Sequence, residues 1–154
     1  LNPPDLPAAM EDLLLQARLS ATAALTPIQF ESGGDRITEE SVATLNLIAE
    51  FFSANTVVRV QIIGHTDSDG EESNNLTLST LRAEAVRTQL IARGIDAERL
   101  LPLGMGEYDP IADNLTREGK ALNRRIEFLV LPDGNEGLPA PTTTEPPATT
   151  IVDQ

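Results

Sequence analysis

One stretch of this sequence restricts the fold more than any other. Apolar and polar residues alternate from residue 58 to 62, which is the pattern of a half-buried strand, and the strand stops at Gly64. A polar loop covers residues 65–75. A helix is then predicted from about residue 76 to 93 by the spacing of its apolar residues. It ends at Gly94, the usual residue for a left-handed helix cap. Strand, loop and helix in this order are the opening of a right-handed crossover.

The flanking segments extend this unit into a sheet. A short apolar strand is predicted at residues 28–30, and a helix capped by Thr38 follows it. The apolar run at 100–103 predicts an edge strand, because Pro102 cannot donate a hydrogen bond to a neighbour. A last strand is predicted at 124–131. The order βαβαββ predicts an α/β fold, specifically an α+β two-layer sandwich in which helices cover a mixed sheet.

The 154 residues are enough for one domain, and composition divides them into three parts. Residues 1–25 are predicted to form an N-terminal helix or linker, 26–131 the folded domain, and 132–154 a disordered Pro/Thr-rich tail. The N-terminal helix packs either on the domain that follows or on one that has been removed. Its predicted apolar stripe consists of Leu6, Met10, Leu13, Leu14 and Ala17.

The start of the chain has neither an initiator Met nor a basic segment, so we expect a fragment whose signal or anchor lies elsewhere. No apolar run approaches the ~20 residues of a membrane helix, and no membrane insertion by this fragment is expected. Eleven basic and 24 acidic side chains give a net charge of −13, which disfavours nucleic acid and anionic lipid as partners. Cysteine is absent, so thiolate metal sites and cysteine nucleophiles are excluded.

The polar loop is the first candidate for a site. Its residues 64–70 follow directly on the carboxyl end of a strand, where ligands bind in open α/β sheets. The alternative is an ordinary connection that uses Asp and Gly for turn geometry. The pattern leaves both interpretations open.

The following helix adds a buried charge. Leu78, Arg82, Val86 and Leu90 form a stripe at a spacing of four residues, which places Arg82 on the apolar face. A buried guanidinium cannot lose its proton and needs a partner, either a protein carboxylate or one supplied by a ligand. Asp67 is placed to face the same crevice. An internal Asp67–Arg82 salt bridge, or an Arg82 side chain that reaches water past Leu78, remains the structural alternative.

An acid and a guanidinium at one crevice would recognise a group that carries both an ammonium and a carboxylate. Asp67 would accept from the ammonium, and Arg82 would clamp the carboxylate through two parallel hydrogen bonds. Such a group is the backbone end of an amino acid. Recognition of this kind requires no reaction.

Short motifs across the core also carry a resemblance. In chain order they are Gly64-His65-Thr66-Asp67, Gly70, Asn75, Leu78-Ser79, Arg82-Ala83, Val86, Gly94, Gly104-Met105-Gly106-Glu107, Pro110, Asn114 and Asn123-Arg124-Arg125-Ile126-Glu127. Together they resemble the OmpA-like peptidoglycan-binding domain of outer-membrane proteins, peptidoglycan-associated lipoproteins and flagellar stator subunits. The resemblance covers roughly residues 28–131. An ordered series of motifs is far more specific than any one of them.

The resemblance implies non-covalent binding of the peptide stem of peptidoglycan, with Asp67 and Arg82 holding the amino and carboxylate groups of a diaminopimelate side chain. It places Thr66 and Asn75 in the lining of the same pocket. Arg124 either supports the pocket from behind or is purely structural. The implied role is to anchor a cell-envelope protein, in the periplasm or at the outer membrane, to the cell wall. The alternative is a protein–protein interaction domain in the envelope with a vestigial crevice.

One segment departs from the family pattern. The loop at residues 31–34 lacks the Phe-Asp or Phe-Asn pair that often follows the first strand, so its contribution to the ligand site is not implied.

Enzyme interpretations have less support, and neither catalytic residues nor a cofactor are expected. The spacing of His65, Asp67 and Asp69 matches neither a zinc protease nor an EF-hand, so no metal site is predicted. A Ser79–His65 pair lacks a nucleophile elbow. Gly104-x-Gly106 lacks the third glycine of a dinucleotide-binding loop.

Overall fold

The computed structural model describes residues 5–25 and 27–131, with side chains for 13–23 and 27–131. The predicted tail at 132–154 lies outside the described residues, as do the side chains of Leu6 and Met10. Within these residues there are four helices and three strands, with short 3-10 turns at Glu39–Ser41 and Ala97–Arg99. In chain order the elements are α1 (Asp5–Leu25), α2 (Val42–Ala54), β1 (Val60–His65), α3 (Glu72–Ala92), β2 (Leu100–Gly106), α4 (Arg117–Asn123) and β3 (Arg125–Val130).

The sheet is mixed, as the sequence predicts, and its strand order is β2–β1–β3. β1 runs parallel to β2, with Val60 opposite Leu100, and antiparallel to β3, with Val60 opposite Val130. β2 is an edge strand of the described sheet, which confirms the interpretation of Pro102. The α/β class with helices on a mixed sheet is therefore confirmed.

The expected first strand differs from the prediction. Residues 28–30 do not join the sheet, and Phe30 forms a single antiparallel bridge with Ile37. The Gly33-Gly34 turn folds this arm back on itself, and β1 already has a strand on each side. Apolar periodicity shows which face of a short segment is buried, but it does not show which partner supplies the hydrogen bonds.

Helix α1 packs on β3 and α2, the domain that follows it. The predicted stripe on this helix is wrong where it can be checked: Leu13 and Leu14 are 71% and 61% exposed, and Ala17 is exposed as well. The buried face consists of Leu15, Leu19 and Ala23, of which Leu19 is 1% exposed and belongs to the core.

The side chain of Gln16 joins α1 to the outer edge of β3. Its amide nitrogen donates to the Phe128 carbonyl (2.8 Å), and its amide oxygen accepts from the Val130 N–H (2.7 Å). Gln16 thus occupies backbone groups that a further strand would otherwise use.

The core lies between the sheet and the helices, with Phe52, Val60, Ile62 and Val86 fully buried. Helix α3 packs directly against glycines of the sheet. A Cβ on Gly64 would collide with the backbone oxygen of Ser79. This contact explains why β1 has a glycine at its penultimate position, and the strand continues one residue beyond the predicted end at Gly64, to His65. No helix in the described part of the chain is long and apolar enough to cross a membrane.

Candidate functional site

The site is formed by the loop that leaves the carboxyl end of β1. Pairing with β2 continues one residue beyond the strand, since the Thr66 N–H donates to the Gly106 carbonyl (2.8 Å). Thr66 is buried, and its hydroxyl donates to the Asp67 carbonyl (2.7 Å). Thr66 therefore shapes the turn that carries Asp67.

Asp67 is buried, and both of its carboxylate oxygens have partners. Oδ1 accepts from the Asp69 N–H (2.9 Å), and Oδ2 accepts from Nη1 of Arg124 (2.6 Å). Arg124, which lies between α4 and β3, thus pairs with Asp67 through a side chain that remains partly exposed. Each carboxylate oxygen has two lone-pair directions, so Asp67 keeps capacity for a further donor.

Arg82 is buried on the inner face of α3, with 8% of its surface exposed. Its Nε donates to the Gly34 carbonyl (2.7 Å), and its guanidinium carbon lies 4.9 Å from the ring centre of Phe30. Both structural alternatives named above are absent: Arg82 does not extend into bulk water, and no carboxylate in residues 13–23 or 27–131 forms an ion pair with it.

The charged groups around Arg82 do not fully compensate its positive charge. Burial lowers the pKa of Arg82, the nearby Arg124 lowers it further, and Asp35 and Asp67 offset part of this effect from a distance. Two guanidinium groups thus lie near one buried carboxylate. The arrangement favours an anionic group between the arginines.

Asn75 braces the loop from α3. Its side-chain nitrogen donates to the Asp69 carbonyl (2.9 Å), to Glu107 Oε1 (2.8 Å) and, at 3.4 Å, to the Asp67 carbonyl. These contacts hold the loop against the end of β2. Asn75 thus joins α3 to the loop and to the residue that follows β2.

Residues 107–124, which we call the α4 segment, form the opposite wall. Three consecutive loop residues contact it: Asp67 bonds Arg124, Ser68 N–H donates to Asn114 Oδ1 (3.3 Å), and Asp69 pairs with Lys120 (3.2 Å). Asn123 holds this segment together and is fully buried. Its side chain bonds Ile111, Ala112 and Asn114.

The sequence interpretation did not assign the supporting roles of Asn114, Lys120 and Asn123. Their contacts join segments that are nine to 51 residues apart in the chain, and single-residue patterns carry no signal for such pairs. Phe30 and Gly34 were missed as partners of Arg82 for the same reason. The loop at 31–34, whose role the family pattern did not imply, therefore contacts the site directly.

His65 lies beneath the loop and is buried. Its Nε2 is 3.1 Å from Glu127 Oε1, and Arg125 donates to the other oxygen of Glu127 (2.8 Å). The hydrogen bond with His65, together with Arg125, lowers the pKa of Glu127 to about 2. The Ser79 hydroxyl donates to the Leu76 carbonyl and accepts from the Gly106 N–H. The hydrogen bonds of His65 and Ser79 thus hold together the end of the sheet from which the loop leaves.

The profile of the OmpA family matches residues 29–124. The chain is 38% identical over 128 residues to the peptidoglycan-binding protein ArfA of Mycobacterium tuberculosis, a match that covers 83% of this chain and 39% of that protein. The chain therefore spans about two fifths of this curated relative.

Two solved structures extend the comparison. The peptidoglycan-associated lipoprotein of Burkholderia pseudomallei superimposes with a TM-score of 0.65 at 25% identity, covering 71% of this chain and 93% of that one. The cell wall anchor of the type VI secretion system of Pseudomonas aeruginosa gives 0.63 at 27% identity, covering 77% and 97%.

Proposed function

This chain belongs to the OmpA family, and from that premise we propose that its domain binds the peptide stem of peptidoglycan non-covalently and anchors an envelope protein to the cell wall. Localisation in the cell envelope, which the sequence predicts, is confirmed by the envelope proteins to which the chain is similar. ArfA is named for peptidoglycan binding, and the secretion-system protein of Pseudomonas aeruginosa is named as a cell wall anchor. A binding module is therefore the function that we propose.

The observation that carries this proposal is the state of Arg82. A buried guanidinium that bonds one carbonyl and one ring face, with no ion pair to a described carboxylate, retains donors for a ligand. A ligand carboxylate would supply the missing charge through two parallel hydrogen bonds. The neighbouring Arg124 adds positive potential at the same place.

Diaminopimelate is the ligand group that we propose. Its side chain ends in a carbon that carries an ammonium and a carboxylate, which match Asp67 and Arg82. Thr66 and Asn75 hold the loop that presents Asp67, and Arg124 fixes the orientation of its carboxylate. Of the five predicted site residues, two would contact the ligand, and three would support them in this proposal.

Sedimentation with insoluble sacculi from a diaminopimelate-type wall tests the binding function. The domain should pellet with the sacculi, and Asp67→Ala should remain in the supernatant while its melting temperature stays close to that of the wild type. A wild-type domain that also stays in the supernatant would favour the alternative, an envelope interaction domain with a vestigial crevice. Reproducible bond cleavage in purified peptidoglycan fragments would contradict the non-enzymatic role.

Soluble stem peptides test the ligand group separately. We expect binding of a stem that contains diaminopimelate and a loss of 2–5 kcal/mol, roughly 30-fold or more, when lysine replaces it, because lysine lacks the side-chain carboxylate. A stem whose diaminopimelate carries a carboxamide in place of the side-chain carboxylate is the matched control, since it keeps the ammonium and loses only the negative charge. Equal affinity for all three stems would place the recognised group elsewhere.

A further inference from the structure

A depression beside Arg82 takes no part in the contacts described so far. It has a volume of about 390 Å³ and lies between the chain at residues 35–37, helix α2 and helix α3. Its lining consists of Asp35, Arg36, Ile37, Val42, Leu45, Ala85, Thr88 and Gln89. The volume lies within the range of small-molecule sites in proteins.

The depression adjoins the Arg82 site, because the same two segments contribute residues to both. Arg82 bonds the carbonyl of Gly34, and the next residue, Asp35, lines the depression. On α3, Ala85 and Gln89 follow Arg82 at spacings of three and seven residues, so they share its face. A chain bound at Arg82 can therefore extend along α3 into this space.

The lining selects the chemistry of an occupant. Ile37, Val42, Leu45 and Ala85 provide apolar surface, and Val42 is 42% exposed although it is a large aliphatic residue. The exposed side chains of Asp35 and Arg36 both lie at this depression, so a bound carboxylate would have to lie on the Arg36 side. A small apolar side chain next to a free carboxylate matches this combination, whereas a second acidic side chain would have to cover the apolar surface.

We propose that this depression is a second subsite, which binds the alanine that follows diaminopimelate in the peptide stem; the proposal rests on the proposed function. The alanine methyl group lies on the apolar lining, and its terminal carboxylate faces Arg36. The spacing agrees. Ala85 and Gln89 lie about 4.5 and 10 Å from Arg82 along the helix axis, and the two amino-acid centres of diaminopimelate are separated by four C–C bonds, ~5 Å when extended.

Titration with two soluble stem peptides tests the subsite. One peptide ends at diaminopimelate, and the other ends at the following alanine. We expect the wild-type domain to bind the longer peptide about five- to tenfold more tightly, because a buried methyl group and one carboxylate contact contribute on this scale.

Two variants locate the effect. Ala85→Leu fills the depression and should reduce the ratio of the two affinities to less than twofold, and Arg36→Gln should reduce it as well. Ala92→Leu makes the same change on an exposed position of the same helix and should keep the wild-type ratio. Melting temperatures confirm that each variant is folded.

The outcomes separate the two proposals. If the wild-type domain binds neither peptide, the proposed function fails and the subsite fails with it. If the wild type binds both peptides equally, or if Ala85→Leu keeps the full ratio, only the subsite is overturned.

Discussion

Replacement of Arg82 with methionine should remove ligand binding while leaving the stability of the domain nearly unchanged. Arg82 gains ~1.5–3 kcal/mol from its charged hydrogen bond to Gly34 and ~0.5–2 kcal/mol from the ring of Phe30. Burial of the guanidinium costs several kcal/mol, and no described carboxylate offsets it. Methionine keeps contact with Phe30 without that cost. We expect the free energy of unfolding to change by less than about 2 kcal/mol.

The loss in binding should be much larger. Removal of one member of a desolvated charge contact costs about 2–5 kcal/mol, which corresponds to about 30-fold to several thousandfold in affinity. Titration calorimetry with the diaminopimelate stem measures this loss, and urea denaturation measures stability. Arg82→Lys should also bind poorly, because one ammonium cannot form the planar two-point contact.

Arg87→Met is the matched control on the same helix. Arg87 bonds the carbonyls of Leu100 and Ala97, away from the site, so its loss should reduce stability by about 1–3 kcal/mol and leave binding unchanged. Two results would refute the reasoning. One is wild-type affinity in Arg82→Met, and the other is a fall in stability above ~3 kcal/mol, which would make Arg82 a structural residue.

Three further expectations concern stability and salt. The pKa of Glu127 is lowered from 4.5 to about 2, chiefly by His65, so this group stabilises the fold above pH 4.5 and loses that contribution as the pH falls towards 2. Glu127→Gln should flatten the curve of unfolding free energy against pH between those values, and an unchanged curve would contradict the assignment. Leu19→Ala should cost about 2–5 kcal/mol in urea denaturation, because Leu19 belongs to the core, and a loss below ~0.5 kcal/mol would show that α1 is not part of the folded unit. The net charge of −13 opposes an anionic stem at long range, so affinity measured at about 50 and 200 mM salt should stay equal or rise slightly; a tenfold fall would indicate binding through a basic surface.

Periodicity predicted the parts of the fold in which one face is apolar and the other is not. Arg82, Val86 and Leu90 are buried as their spacing predicts, and Ile126 and Phe128 are buried on β3. Periodicity did not predict the buried face of helix α1, because its leucines at 13–15 are consecutive and point in several directions. Contact with β3 and α2 decides which of them is buried.

The site was predictable only as separate residues. The strand end predicted Asp67 at the crevice, and the family resemblance predicted Arg124 beside it. In the structure Arg124 lies between α4 and β3, and its side chain is exposed. The hydrogen bond between Asp67 and Arg124 joins positions 57 residues apart. Residue patterns also describe side chains, whereas Arg82 uses the backbone carbonyl of Gly34, which any residue at that position would present.

The hydrogen bonds of Gln16 affect what the outer edge of β3 can pair with. β3 is an edge of the described sheet, and the groups that Gln16 occupies are those through which another chain could add a strand. A fragment cut where the family match begins, at residue 29, would expose that edge and uncover the surface that Leu19 protects. The helix before the family match thus covers part of an edge at which strands of two molecules could otherwise pair.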